Sequence, residues 1–319
     1  MDCPWRVSGS WRRSPIMTDM YRMIAFTPAP GIAAAVLLMS LMTPGSAAAA
    51  ECRRDKPGGG QVITSPTLNV ATLNIAHGRK LAFNQALVPT ATIRRNLDDI
   101  AVLFREAEVQ IVALQEADAP SKWSGGFDHV EYLADAAGFP CFVHGHHVKA
   151  IFGTYGTALL SSTRFLQTQT HTFAPTPPTT NKGFVMGVVA WNPDGRLDKP
   201  IKVAVVSVHL DFLSTDARES QVAEIAQVLA AVTGPMIILG DFNAKWHPQR
   251  SAVRLLADRL ELEAFDPDND SIVTYRDPES RLDWVLIANG IMFESFEVLP
   301  DTVSDHHAVV ATLALDVGR

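Results

Sequence analysis

Met236-Ile237-Ile238-Leu239-Gly240-Asp241-Phe242-Asn243 is an apolar run that stops on a glycine and two short polar side chains. A short β-branched run bounded by such residues reads as a buried strand. A second fragment, Ser304-Asp305-His306, stands just before the last apolar run of the chain. Each fragment puts polar groups at the end of a hydrophobic segment, where a sheet presents them to one pocket. Asp, Asn and His together suit the binding of a hard cation and the activation of water. Asp241 and Asn243 are two apart, so an extended chain would aim both at one face. The bland alternative is an Asx-type turn.

Working outward, short apolar strands alternate with a few helical patterns. Strands are expected over 68–75, 110–114, near 142–143, and over 157–161, 165–173, 184–191, 201–210, 236–239, 282–287, 292–299 and 307–315. A helix follows Thr90 or Thr92, either of which can cap it, with Ile93, Leu97, Ile100 and Phe104 on its apolar face. Others are expected over 127–137, closed by Gly138, from Ser214 or Thr215 onward, and over 248–260. Many short strands with helices spread between them suit an α/β or α+β sandwich rather than a barrel. No internal repeat is visible in the sequence.

Further polar residues follow the strands, where ligand sites collect in such folds. Asn74 sits in Thr72-Leu73-Asn74-Ile75-Ala76-His77-Gly78, and an Asn inside an apolar strand needs a hydrogen bond or a ligand. Glu116 closes Ile111-Val112-Ala113-Leu114-Gln115-Glu116, a position suited to Mg²⁺, which takes one or two carboxylates and keeps several waters. His209 ends the run 205–209, and Asp211 follows it. Asp283, in Arg281-Leu282-Asp283-Trp284, is a carboxylate in an apolar strand and needs a partner. His306 is the candidate, held at one nitrogen by Asp283 and free to handle a proton at the other. A structural role competes at each position: a turn, a solvated strand end or a core histidine. His144, His146 and His147 tempt a zinc reading, but no Cys or helical His completes a tetrahedral set, and a loop explains them as well.

The chain has 319 residues and a formal charge of −7. Residues 31–42 form an apolar core of signal-peptide length, with Arg22 before it and an alanine-rich cleavage site at 47–50. Residues 1–50 therefore read as a secretory signal, with the true start at Met1, Met17 or Met23 left open. Residues 51–66 read as a flexible lead-in and 67–316 as a single domain. Removing the four arginines and two aspartates of the leader takes the charge from −7 to −9. A protein that coats a long polyanion needs a basic footprint, and the overall balance argues against that role. Cys52 and Cys141 remain in the mature chain. In an oxidising compartment they can pair; otherwise Cys141 is a core thiol.

Taken together, the fragments resemble the endonuclease/exonuclease/phosphatase superfamily. The resemblance runs from about Leu68 to Leu315. It rests on seven motifs in order: the Asn74 strand, Gln115-Glu116, Gly156 to Ser161, His209-Leu210, Gly240 to Asn243, Arg281 to Trp284, and Ser304 to His306. It implies a four-layer αββα sandwich, with two mixed β-sheets packed face to face and helices outside. It implies an Mg²⁺-dependent phosphoesterase, with Mn²⁺ or Ca²⁺ as other candidate metals. By motif, Glu116 would ligate the metal with Asn74 and Asp305 beside it. Asp241 would orient or deprotonate water, and Asn243 would hold a phosphate oxygen. His306, oriented by Asp283, would serve as base or transition-state stabiliser, and His209 would donate to the phosphate. Arg218, with Gln221, and Tyr155 fall on the structural or substrate side. Two positions depart from many relatives: Thr157 stands where Asn is common, and Asn181-Lys182-Gly183 where Glu-Arg is common.

The expected protein is thus an exported hydrolase, periplasmic or secreted, that cleaves phosphate esters by in-line attack of activated water. It is expected as a monomer without a membrane span. Its substrate is a small phosphate ester, a lipid headgroup or a nucleic acid. A secreted endonuclease predicts a local basic stripe. A sphingomyelinase- or phospholipase C-like enzyme predicts apolar residues at the rim, with Ile151-Phe152 and Tyr155 as candidates. A non-catalytic binding module on the same fold would have lost a metal or base residue, and none is missing.

Overall fold

A computed structural model of the chain describes residues 50–52, 60–247 and 249–316. The secretory signal expected over 1–50 lies outside them except for Ala50. In chain order the strands are β1 (Glu51–Cys52), β2 (Leu68–Asn74), β3 (Ile111–Asp118), β4 (Cys141–Lys149), β5 (Thr154–Ser161), β6 (Gln167–Thr172), β7 (Gly183–Trp191), β8 (Ile201–His209), β9 (Met236–Asp241), β10 (Glu263–Ala264), β11 (Tyr275–Arg276), β12 (Glu279–Ser280), β13 (Asp283–Ala288), β14 (Ile291–Val298) and β15 (Val309–Leu315). The α-helices are α1 (Thr90–Glu106), α2 (His129–Ala137), α3 (Thr215–Leu229) and α4 (Ala252–Leu260).

The strands build two large mixed sheets. The first has seven strands in the order β1-β4-β5-β3-β2-β15-β14, the second six in the order β10-β13-β9-β8-β7-β6. Each sheet contains a parallel pair, β2 with β3 and β8 with β9. A helix makes each parallel connection, α1 in the first and α3 in the second, as a crossover requires.

Alternation along the strands sorts the core into three layers. Ile111 and Ala113 of β3 face inward, against Val185, Val205, Ile237 and Val285 of the second sheet. Val112 and Leu114 face outward, onto Ile93, Leu97 and Ile100 of α1 and Val130 and Leu133 of α2. On the other side Val206, Val208, Ile238 and Leu286 meet Val222 and Ile225 of α3 and Val253 and Leu256 of α4. The fold is therefore the expected αββα sandwich, with a largely apolar layer between the sheets. Each fully buried Val, Ile or Leu in that layer contributes ~1.5–3 kcal/mol.

Local details differ from the sequence expectations. Helix α1 begins at Thr90, and its cap position is Pro89, with no side-chain cap bond. Helix α2 starts at His129, because Asp128 accepts from the Glu131 amide and caps it there. Likewise Ser251 caps α4, and the helix starts at Ala252. Ser214 caps α3 as expected. His144, His146 and His147 are not in a loop: β4 runs on from Cys141 to Lys149 and pairs with β5. His147 is buried, and its Nδ1 and Nε2 lie 3.0 and 2.9 Å from the hydroxyls of Thr172 and Thr157. Thr157 thus serves a core histidine. The described parts of the expected flexible lead-in are fastened down. β1 pairs with β4, Cys52 is disulfide-bonded to Cys141, and the buried Ile63 donates its amide to Ala190. Residues 53–59 lie outside the described residues.

Candidate active site

Strand ends from both sheets converge on one cavity of about 320 Å³. Its lining includes Asn74, Glu116, His209, Asp241, Asn243, Asp305 and His306, with Arg79, Phe212, Tyr275 and Asp277. Asn74 ends β2 and His209 ends β8. Glu116 sits at a register shift in β3, between Leu114 and Ala117, with φ +50. Such bulges re-aim a side chain at the cost of local strain.

Asp241 ends β9, and the preceding Gly240 has φ +149. A Cβ on Gly240 would meet the Val208 carbonyl oxygen at 2.0 Å, so only glycine lets β9 pass β8 this closely. Asn243 is not in an extended chain; its φ is +48. Its amide donates to Asp241 Oδ1 at 2.9 Å, and its side-chain Nδ2 donates to the Leu210 carbonyl at 3.0 Å. The turn and the site are therefore one arrangement: an Asx turn brings Asn243 back beside Asp241.

A second trio is buried next to it. Nδ1 of His306 donates to Asp283 Oδ2 at 2.8 Å, and Nε2 lies 3.8 Å from Asp241 Oδ2. Thr274 Oγ1 accepts the backbone amides of Leu282 and Asp283, while the His307 amide donates to the Thr274 carbonyl. Tyr275 packs against the His306 ring at a 51° tilt, with centroids 4.8 Å apart. The short β11–β12 hairpin thus brings the approach to β15 against the start of β13. Burial pulls the His306 imidazolium down, but Asp283, Asp241 and Asp305 outweigh it and lift the group to about 10. Burial, with Asp283 beside it, pushes Asp241 up to about 6, against the pull of His306 and Asn74. Asn74 joins this trio to the first sheet, donating to Asp241 Oδ2 at 3.1 Å. Its Oδ1 accepts from the Ala76 amide.

On the other side of the cavity, Glu116 Oε2 lies 3.5 Å from Nε2 of His77, a charge contact rather than a hydrogen bond. Burial pushes the Glu116 carboxyl up, but His77, Lys182, His209 and His306 hold it down to about 2. A half-buried, firmly ionised carboxylate with open lone pairs, beside an amide oxygen and a further carboxylate, fits a hard divalent cation. Asp305 stands in the same wall, bound by Arg79 Nη2 at 2.5 Å and by Ser304 Oγ at 3.2 Å.

Three further groups join the site beyond the candidate residues that the sequence offers. His77 is buried and donates from Nδ1 to Asp118 Oδ2 at 2.7 Å, so Asp118 orients the histidine that faces Glu116. Lys182 is buried with Nζ 3.3 Å from His209 Nε2; burial, helped by this charge, pulls His209 well below its ordinary value. Arg79 pairs with Asp305. Each stands beside a strand end, His77 and Arg79 three and five residues past Asn74 and Lys182 just before β7, but that position alone marks no role.

Two substrate-side candidates lie elsewhere. Arg218 donates to the Asp211 carbonyl and to Thr215 Oγ1, and Gln221 accepts the Asp211 amide. Both shape the loop after β8, together with Asp211, which accepts the amides of Leu213 and Ser214. Tyr155 is buried behind the cavity, with its ring 4.8 Å from His77 and 5.5 Å from Trp123. It supports the histidine rather than lining the site.

The profile of the endonuclease/exonuclease/phosphatase family matches residues 71–306, about three quarters of the chain. The chain belongs to this family, whose members are in general divalent-metal-dependent hydrolases of phosphate esters. Solved structures of similar fold include a family member from Leptotrichia buccalis, 16% identical, covering 78% of this chain and 100% of that one, with a TM-score of 0.58. The human Nocturnin catalytic domain is 18% identical, covering 79% and 95%, with a TM-score of 0.57. A mannosyl-6-phosphatase from Bacteroides thetaiotaomicron is 15% identical, covering 78% and 100%, with a TM-score of 0.56. Among curated protein sequences none matches.

Proposed function

We propose that the protein is an exported, divalent-metal-dependent hydrolase that cleaves phosphate esters by in-line attack of water. The observation that carries this reading is the convergence of a carboxylate-and-amide wall (Asn74, Glu116, Asp305) and a buried Asp241–His306–Asp283 trio on one cavity. We assign Glu116 and Asn74 as metal ligands, with Asp305 beside them balancing Arg79. Mg²⁺ suits an all-oxygen set of this kind, as Mn²⁺ does. When bound, the metal supplies charge stabilisation at a phosphoryl oxygen.

The chain's own groups divide the remaining work. Asp241 accepts the proton of the attacking water; a carboxylate raised toward neutral pH is a better base than an ordinary one. His306, held as an imidazolium by Asp283, places positive charge where the phosphoryl group gains negative charge. His209 donates to a phosphoryl oxygen, and Lys182 stands behind it to fix its proton. Asn243 offers its remaining amide hydrogen to the same group. Asp241, Asp283 and His306 present ligand atoms within 4.8 Å of one another. We read them as proton-handling groups, because a cation there would displace the imidazolium from both carboxylates.

The disulfide between Cys52 and Cys141 supports export, since such bonds persist in oxidising compartments. The test is hydrolysis of bis-p-nitrophenyl phosphate by the purified chain, with and without EDTA. Glu116→Ala with an unchanged circular dichroism spectrum is expected to abolish the EDTA-sensitive activity. Undiminished hydrolysis by that variant defeats the assignment.

A further inference from the structure

The loops around the cavity carry apolar side chains that no part of the described structure covers. Ile151 is 102% exposed and Phe152 50%, at the tip of the β4–β5 hairpin. The loop after β2 shows Leu81, Phe83 at 97% and Leu87 at 80%. The two groups adjoin: residues 85–87 pack against residues 122–124, and the Trp123 ring lies 4.9 Å from that of Phe152. Phe212, which lines the cavity, and Leu213 are 61% and 60% exposed, in a segment that also carries Asp211, Asp216 and Glu219. Single exposed apolar residues are ordinary, but a concentration at one end marks an interaction surface.

Charge identifies the occupant. The chain as a whole carries −7. Yet segments 79–89, 119–127 and 149–153 contain no Asp or Glu, while holding Arg79, Lys80, Lys122 and Lys149. Arg79 and Lys80 face Asp305 and Asp99. Lys122 and Lys149 are exposed, and each lies within two residues of an apolar member of the rim (Trp123, Ile151). Lysines interleaved with protruding Ile, Phe and Leu match an anionic bilayer, where the apolar tips enter the acyl boundary and the ammonium groups meet the headgroups. A nucleic acid would use the charges but leave Ile151, Leu81 and Leu87 in water.

We propose that this end of the sandwich docks on anionic phospholipid bilayers and so brings a lipid phosphate-ester headgroup to the cavity. The substrate-class half of this rests on the hydrolase reading; the docking half does not. The experiment is co-sedimentation of the full chain with vesicles of phosphatidylcholine, alone or mixed with phosphatidylglycerol. Bis-p-nitrophenyl phosphate hydrolysis and phosphate-ester release from the vesicles are measured in parallel.

Wild-type protein is expected to bind the mixed vesicles, less so as salt rises. The double variant Lys122→Glu/Lys149→Glu should bind at least about tenfold more weakly, at ~1 kcal/mol per basic group near the surface. Ile151→Ser/Phe152→Ser should lose a similar factor while keeping its melting temperature and its hydrolysis of the soluble ester. Soluble-ester hydrolysis with no vesicle binding overturns the docking proposal and spares the hydrolase reading. Vesicle binding without any hydrolysis does the reverse. Binding unaffected by both variants, tighter binding to a single-stranded oligonucleotide, or dimerisation abolished by Ile151→Ser/Phe152→Ser overturns the lipid surface as the occupant.

Discussion

The two sheets are built around the same unit and finish it differently. β2–α1–β3 and β8–α3–β9 are each a parallel pair joined by an outer helix. Both units release polar residues where their strands end, Asn74 and Glu116 from one, His209 and Asp241 from the other. The first unit surrounds its carboxylate with His77 and Asp118 and leaves its oxygens open. The second packs its carboxylate against Asn74, His306 and His209 in a nearly closed set. One frame therefore yields a cation-ready acid on one side and a proton-handling acid on the other. The difference lies in two or three neighbours per strand end, not in the topology.

That contrast can be broken from either side. The largest effect is expected in the second unit. Asp283→Ala leaves His306 without its orienting carboxylate and should cost ~10²–10⁴-fold in kcat, with little change in the metal concentration needed. A loss confined to metal affinity would contradict the division. Asp118→Asn, in the first unit, should do the opposite. Metal titration of activity should shift ~10–100-fold, as for other groups that orient a ligand's neighbour, while saturated kcat stays close to wild type.

A smaller effect separates the sheets by pH. Burial, with His146 and Lys182 nearby, pushes His147 of the first sheet down to about 3 from an ordinary 6.5. The unfolded chain takes up that proton before the folded one does. The stabilisation is complete above about pH 6.5 and is lost as pH falls from there toward 3. Urea midpoints should decline over this window, and His147→Asn should flatten the decline. The smallest effect is expected between the layers, where Ser207→Ala removes bonds to the Leu114 carbonyl and from Gln115. A loss of ~1–3 kcal/mol in urea unfolding is expected. No loss would mean that the Ser207 bonds between the layers add nothing net to stability.

Most of this frame was legible in the sequence, because period-two strands and capped amphipathic helices are local signals. The Met236–Asn243 fragment carries its strand, the glycine and the Asx turn within eight residues. The pairing of Asp283 with His306 was also readable, since a carboxylate in an apolar strand demands a partner and a histidine is the natural one. His77, Lys182 and Arg79 were not. Each acts through a residue distant in the chain, and an isolated His, Lys or Arg beside a strand end has no spacing signature. The histidines of β4 misled for a related reason: polar residues at 144, 146 and 147 break an apolar pattern, and their partners, the Ala117 carbonyl for His144 and the Thr157 and Thr172 hydroxyls for His147, lie on other strands.

The bond from Asn74 to Asp241 and that from His306 to Asp283 both join chain segments associated with opposite sheets. They are also the bonds that aim the site. Any shear of one sheet over the other must therefore register first at Asp241. The reactive geometry is in effect a gauge of how the layers sit. Substitutions in the apolar interior, far from the cavity, should reach the chemistry by that route before they reach the melting temperature.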